Sequence, residues 1–145
     1  MSLISLKDLS LTRATVLFKD FNLSIAKGDR LGLVAANGKG KSSLLRIMAG
    51  MEEATSGTLT TARGLVAAFA PQDPPAHLLP LTLYDAVRSV LTAEVAETEG
   101  WRVDILLDDL AVDQATRQRP VGVLSGGWQR TMLLARAAVI EPDLL

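Results

Sequence analysis

Leu31-Gly32-Leu33-Val34-Ala35-Ala36-Asn37-Gly38-Lys39-Gly40-Lys41-Ser42-Ser43-Leu44-Leu45 is the stretch on which the reading of this chain turns. Residues 31–35 form a short apolar run of the kind found in a buried strand. Asn37-Gly38-Lys39-Gly40 is too flexible for a regular element. From Lys41 to Ala49 the sequence reads as a helix, and Gly50 stands where a glycine ends one. Strand, glycine-rich loop and helix, in that order, are what a phosphate cradle requires. Consecutive N–H groups in such a loop can all turn inward, and a helix N-terminus adds about half a unit of positive charge. Gly38 and Gly40 permit the torsions and the close approach. Lys41 is placed to reach terminal phosphates, and the Ser42 hydroxyl to ligate the Mg²⁺ that neutralises them. Without an anion, Lys39 and Lys41 are cations at the positive end of the helix dipole, at a cost of roughly a few tenths of a kcal/mol each.

Upstream, Ile4-Ser5-Leu6 and Phe21-Asn22-Leu23-Ser24-Ile25 alternate with period two, as half-buried antiparallel strands do. Lys27-Gly28-Asp29 supplies a turn. Downstream, two short strands are expected around Thr58-Leu59-Thr60 and Val66-Ala67-Ala68-Phe69. Pro71, Pro74, Pro75 and Pro80 then make a loop. Thr82 with Asp85 resembles a capping box, and Leu83, Ala86, Val87, Val90 and Leu91 trace the apolar stripe of one helix. Val103, Leu106, Leu107 and Leu110 repeat that stripe in a second. A polar link from Asp113 to Arg119 leads to Pro120 and to a last helix with Trp128, Met132, Ala135 and Val139 on one face. The class is α/β with a mostly helical middle inserted.

The bulk properties agree. At 145 residues, 48% hydrophobic and 21% charged, the chain has the make-up of one globular domain rather than a disordered or coiled-coil segment. Fifteen Lys and Arg against 16 Asp and Glu give a net charge of -1, so no overall field draws it to nucleic acid or an acidic membrane. The absence of cysteine excludes disulfides, thiolate metal sites and a Cys nucleophile. No apolar stretch is long enough for a membrane span, and a cytoplasmic location without membrane insertion is expected. A mean hydropathy of +0.26 is high for a domain with 4% aromatics, which points to an incomplete domain or to a surface covered by a partner.

A second glycine pair stands in Leu124-Ser125-Gly126-Gly127-Trp128-Gln129-Arg130. Alone, Ser125 there would be a helix cap. Behind a phosphate loop, LSGG resembles the signature of the ATP-binding cassette (ABC) superfamily, and the chain resembles an ABC ATPase domain along its whole length. The resemblance implies a P-loop NTPase fold of the ABC type, with an antiparallel β subdomain and an inserted helical subdomain. Residues 1–72 and 128–145 would form the core with the β subdomain, and 73–127 the helical subdomain with the signature loop. It implies that ATP is held by Asn37, Gly38, Lys39, Gly40, Lys41, Ser42 and Ser43, the last standing where the family usually has threonine. Ser42 would ligate Mg²⁺, and Gln72, in Ala70-Pro71-Gln72-Asp73, would be the Q-loop glutamine that touches Mg²⁺ and the attacking water. Leu124, Ser125, Gly126, Gly127, Trp128 and Gln129 would meet the ATP of a partner cassette in a head-to-tail sandwich, within one longer chain or a homodimer. LSGGW followed by basic residues is similar to the ABC-F group, soluble proteins with two cassettes per chain. The expectation is therefore the first cassette of an ABC-F-type protein that couples MgATP binding and hydrolysis to a partner; the ABC-F resemblance implies a ribosome, but the residues leave the partner open. The alternatives are the ATP-binding subunit of a transporter, docked on a membrane permease, and a piece that binds nucleotide without hydrolysing it.

Several residues depart from the family pattern. Ala35 stands where the phosphate loop has glycine, which predicts weakened binding. Around Arg13-Ala14-Thr15 no aromatic residue is present to stack on adenine; Arg13 is expected to be solvated. Ile140-Glu141-Pro142-Asp143-Leu144-Leu145 looks like the run into the Walker B strand. The Walker B aspartate, the catalytic glutamate, the D-loop and the switch histidine are expected beyond it, so no catalytic residue is expected here. His77, the only histidine, is expected to be exposed. Arg46, Arg117 and Arg119 are the candidates for a local basic patch toward RNA.

Overall fold

In the computed structural model, which describes residues 2–145, two long strands open the chain: β1 (Ser2–Thr12) and β2 (Val16–Ala26). With β3 (Ser56–Thr61) they form an antiparallel sheet in the order β2-β1-β3, in which Leu6 faces Leu23 on one side and Leu59 on the other. The period-two reading of β1 holds only as far as Leu6. Ile4 and Leu6 are buried, and then the phase changes so that Leu9 and Leu11 are buried too. A bulge at Asp8 (φ 50°) makes the change, and both ladders shift register there. Asn22 holds the bulge, accepting from the Asp8 N–H at 3.0 Å and donating to its carboxylate at 3.2 Å. Opposite it, a Cβ on Gly57 would lie 2.4 Å from the Asp8 carbonyl oxygen, so only glycine fits. The buried leucines of β1 pack on Leu44 and Ile47 of α1 (Lys41–Met48). Gly50, at φ 72°, follows that helix as expected.

The predicted strands at 31–35 and 66–69 are not formed. Residues 31–35 have no regular structure; Leu31, Leu33 and Val34 are exposed, Val34 at 93%. A buried strand needs a ladder beside it, and among the described residues β1–β3 pair with one another and leave none for this run. Around Val66–Phe69 a single parallel bridge links Ala67 to Leu144, with the Ala68 N–H donating to the Leu144 carbonyl at 2.8 Å.

By its contacts the chain divides into two units, one ending at Phe69 and including Leu144, the other spanning Ala70–Asp143 with Leu145. The division assigns 126–143 to the helical unit, where the sequence reading had grouped 128–145 with the core. The reason is packing: Met132, Ala135 and Val139 of α6 (Gly126–Ala138) and its C-cap join the same cluster as Leu83, Ala86 and Val87 of α2 (Leu83–Arg88). The near-neutral total also divides. Residues 1–69 hold nine Lys and Arg against five Asp and Glu, whereas 70–145 hold six against eleven.

Within the helical unit, Thr82 caps α2 as predicted, accepting from the Asp85 N–H at 3.0 Å. The expected long helix nevertheless stops at Arg88. The Ser89 hydroxyl donates to the Ala86 carbonyl, and Thr92 caps a separate α3 (Ala93–Thr98). Val90 and Leu91 still pack on the core from the turn between them. After α4 (Trp101–Asp109), the expected polar link contains α5 (Gln114–Arg117), capped by Asp113. Arg117 is not part of an exposed basic patch. Its side chain is 3% exposed, bonded through Nε to the Val112 carbonyl and paired with Asp104 and Asp108. A buried guanidinium needs such partners, and the two acids supply them.

Candidate functional site

The first cradle is built by α1 and the loop before it. Gly40 is the N-cap residue of α1 in the left-handed region (φ 86°), and a Cβ there would meet the Leu17 Cβ at 3.1 Å and the Phe18 ring at 3.2 Å. Strand β2 therefore presses on the loop where only glycine passes. Gly38 also has positive φ, and the Lys39 N–H donates to the Ala36 carbonyl, closing a turn. The first helical bond of α1 runs from the Leu44 N–H to the Gly40 carbonyl. The N–H groups of Lys41, Ser42 and Ser43 find no acceptor among the described residues, no side chain caps the helix, and its first turn carries no acidic residue. Three converging donors with no internal partner make a concentrated positive site.

Asn37, Gly38, Lys39 and Ser42 are exposed, Gly40 and Lys41 are half-buried and Ser43 is buried. The Lys41 ammonium folds back over the loop, donating to the Ala35 carbonyl at 2.5 Å and to the Ala36 carbonyl at 3.2 Å. The residue that departs from the motif thus supplies an acceptor to its lysine. These groups suit a Mg²⁺-bound polyphosphate: free N–H groups, an ammonium and an exposed hydroxyl for the metal, with no carboxylate in the first turn to repel it. Arg13 is not simply solvated; it pairs with Glu52.

The second loop lies in the helical unit. Leu124 is buried as its anchor, and Ser125 caps α6, its hydroxyl accepting from the Trp128 N–H at 3.4 Å. Ser125, Gly126 and Gly127 are exposed. A Cβ on Gly126 would meet nothing within 4 Å, and one on Gly127 only the Ser125 hydroxyl at 3.9 Å. The chain itself does not require glycine there, and glycine is a poorer helix former than alanine. Trp128 packs on the helical core, and Gln129 is half-buried, its amide donating to the Val121 carbonyl. Gln72 and His77 are exposed in the proline-rich loop. The structure brings together Asn37–Ser43 as one group and Leu124–Gln129 as another. The motif reading missed the internal bond of Gln129, because hydrogen bonding to a turn eight residues back leaves no mark in composition.

Residues 18–145 match the family described as ABC transporter. The chain belongs to that family, as an ABC-type ATPase domain. It is 36% identical over 149 residues to the zinc import ATP-binding protein ZnuC of Marinobacter nauticus, covering 93% of this chain and 52% of that protein. It is 27% identical over 163 residues to the energy-dependent translational throttle protein EttA of Mycobacterium tuberculosis, covering 90% of this chain and 29% of that protein. Among solved structures, a metal-chelate type ABC transporter in an inward-facing conformation superposes with a TM-score of 0.78 at 23% identity, over 97% of this chain and 56% of that one. That likeness shows the ABC-type fold. The chain spans about half the length of the ZnuC proteins that it matches. No described helix is long and apolar enough to cross a membrane.

Proposed function

We propose that this ABC domain binds the polyphosphate of MgATP through Asn37–Ser43, with Lys41 on the terminal phosphates and Ser42 on Mg²⁺. The observation that carries the reading is the start of α1, where among the described residues three N–H groups lack an acceptor and the neighbouring ammonium bonds to loop carbonyls. A phosphate gives the ammonium an anionic partner in place of neutral carbonyls, and gives the three N–H groups charge-assisted bonds about twice as strong as neutral ones. Titration with a fluorescent ATP analogue and Mg²⁺ tests it. Binding that weakens at least tenfold in Lys41→Ala supports the reading; equal binding by the two proteins contradicts it.

Gln72 would approach the metal of the same nucleotide, and Ser125–Gly127 would receive the phosphate tail held by a second cassette. Two exposed glycines with no steric need for their small size favour close approach by something outside the chain. The complete protein is read as the ATP-binding subunit of a membrane transporter, which couples MgATP binding and hydrolysis to a permease. The relatives named for zinc import support this reading over the ABC-F one. The EttA likeness keeps a ribosome-directed protein as the second reading. A permease gene beside the coding sequence supports the transporter; a second LSGG cassette in the same reading frame contradicts it.

A further inference from the structure

The Gln129 side chain reaches back along its own helix to a fixed point. Its Nε2 donates to the Val121 carbonyl at 3.0 Å, and the same oxygen accepts from the Leu124 N–H at 3.1 Å. The Val121 N–H donates to the Leu81 carbonyl at 2.8 Å, the Gly122 N–H to the Leu79 carbonyl at 2.9 Å, and the Val121 side chain is fully buried. Val121 is therefore held by its backbone and by the core. The loop Leu124–Gly127 runs from this point into the first turn of α6. Its glycines have no side chains to anchor them, and the Ser125 cap is long at 3.4 Å.

We propose that Gln129 is a positioning residue for this loop. Its amide, tied to Val121, sets from behind the direction in which the Gly126 and Gly127 N–H groups point, and it does not reach a ligand itself. That those N–H groups receive a phosphate rests on the function proposed above; the clamp does not. Through Val121 and Gly122 the clamp also joins the loop to Leu79–Leu81, the end of the proline-rich loop that bears Gln72.

Three variants in a Trp101→Phe background, where Trp128 is the sole tryptophan, separate the roles. At neutral pH Gln129→Glu keeps the length and loses the donor, Gln129→Ala loses both, and Gln129→Lys keeps a donor. Amide exchange at Leu124 and Gln129 is expected to quicken about five- to tenfold in the Glu and Ala variants, the worth of one hydrogen bond. Trp128 emission shifts with it, exchange in α2 and α4 stays within about twofold, and Lys restores part of the protection. Lowering the pH through about 4.3, the ordinary glutamate value, restores the Glu variant alone, because a neutral carboxyl can donate. Unchanged exchange in all three variants, or equal loosening throughout 70–143, overturns the clamp. Adding MgATP separates the two readings. No protection of Gly126 and Gly127 in the parent protein defeats the loop's phosphate role and leaves the clamp standing. A Gln129 side-chain amide that leaves Val121 when nucleotide is added defeats the clamp.

Discussion

Gly40 carries two constraints at once, a left-handed φ of 86° and the Leu17 and Phe18 side chains within 3.2 Å of where a Cβ would sit. Gly40→Ala is expected to destabilise the domain by about 1–2 kcal/mol in urea melts and to weaken nucleotide binding with it. The glycine was legible in the sequence through its place before Lys41. Its neighbours were not, since contact with β2 depends on tertiary packing. Asp113 shows the same limit. Read as part of a polar link, it accepts from the Thr116 hydroxyl at 2.7 Å and from the Thr116 N–H at 2.9 Å. These bonds hold its carboxyl below the ordinary value of 3.8. A lowered value stabilises the fold above that ordinary pH, and the contribution is lost as the pH falls from there through the lowered value. Asp113→Asn is therefore expected to flatten the acid side of the stability profile, as measured by denaturant melts across the acid range.

The elements that the sequence announced most clearly are α1, closed by Gly50, and the helices with an apolar stripe in register, α2 from Thr82, α4 and α6. Its errors lie where a local cap outweighed a continuing stripe, as at Ser89 and Thr92, or where a strand depends on neighbours, as at 31–35. The Arg117 cluster was invisible because its charges read as solvated when taken one at a time. Asp104 and Asp108 are 53% and 69% exposed, so they tolerate losing their partner, whereas the enclosed guanidinium does not. Asp104→Asn with Asp108→Asn is expected to cost about 3 kcal/mol, more than the roughly 1–2 kcal/mol of Arg117→Met. Thermal melts of both variants check the order, and a costlier Arg117→Met would contradict it. Tyr84 reports on the same cluster, since partial burial and the Asp104 carboxylate raise its phenol above the ordinary 10.0.

Over the whole molecule, a total charge of -1 conceals a basic first unit and an acidic second one. Leu31, Leu33 and Val34 together expose an apolar run that pairs with no strand among the described residues, a surface that favours association. Association that grows with concentration is expected in sedimentation, and Val34→Lys is expected to reduce it; an unchanged profile would discount that run. Both glycine loops were legible because their chemistry is carried by backbone and small residues at fixed spacing. What spacing did not reveal was how each is held, by Phe18 behind one and Val121 behind the other. The first loop is tested most directly by titrating the isotope-labelled protein with MgATP and following the amide signals of Gly38 to Ser43. Large saturable shifts at Lys41, Ser42 and Ser43, absent in Lys41→Ala, are the expected result. Signals that stay in place while nucleotide binds elsewhere would contradict the account.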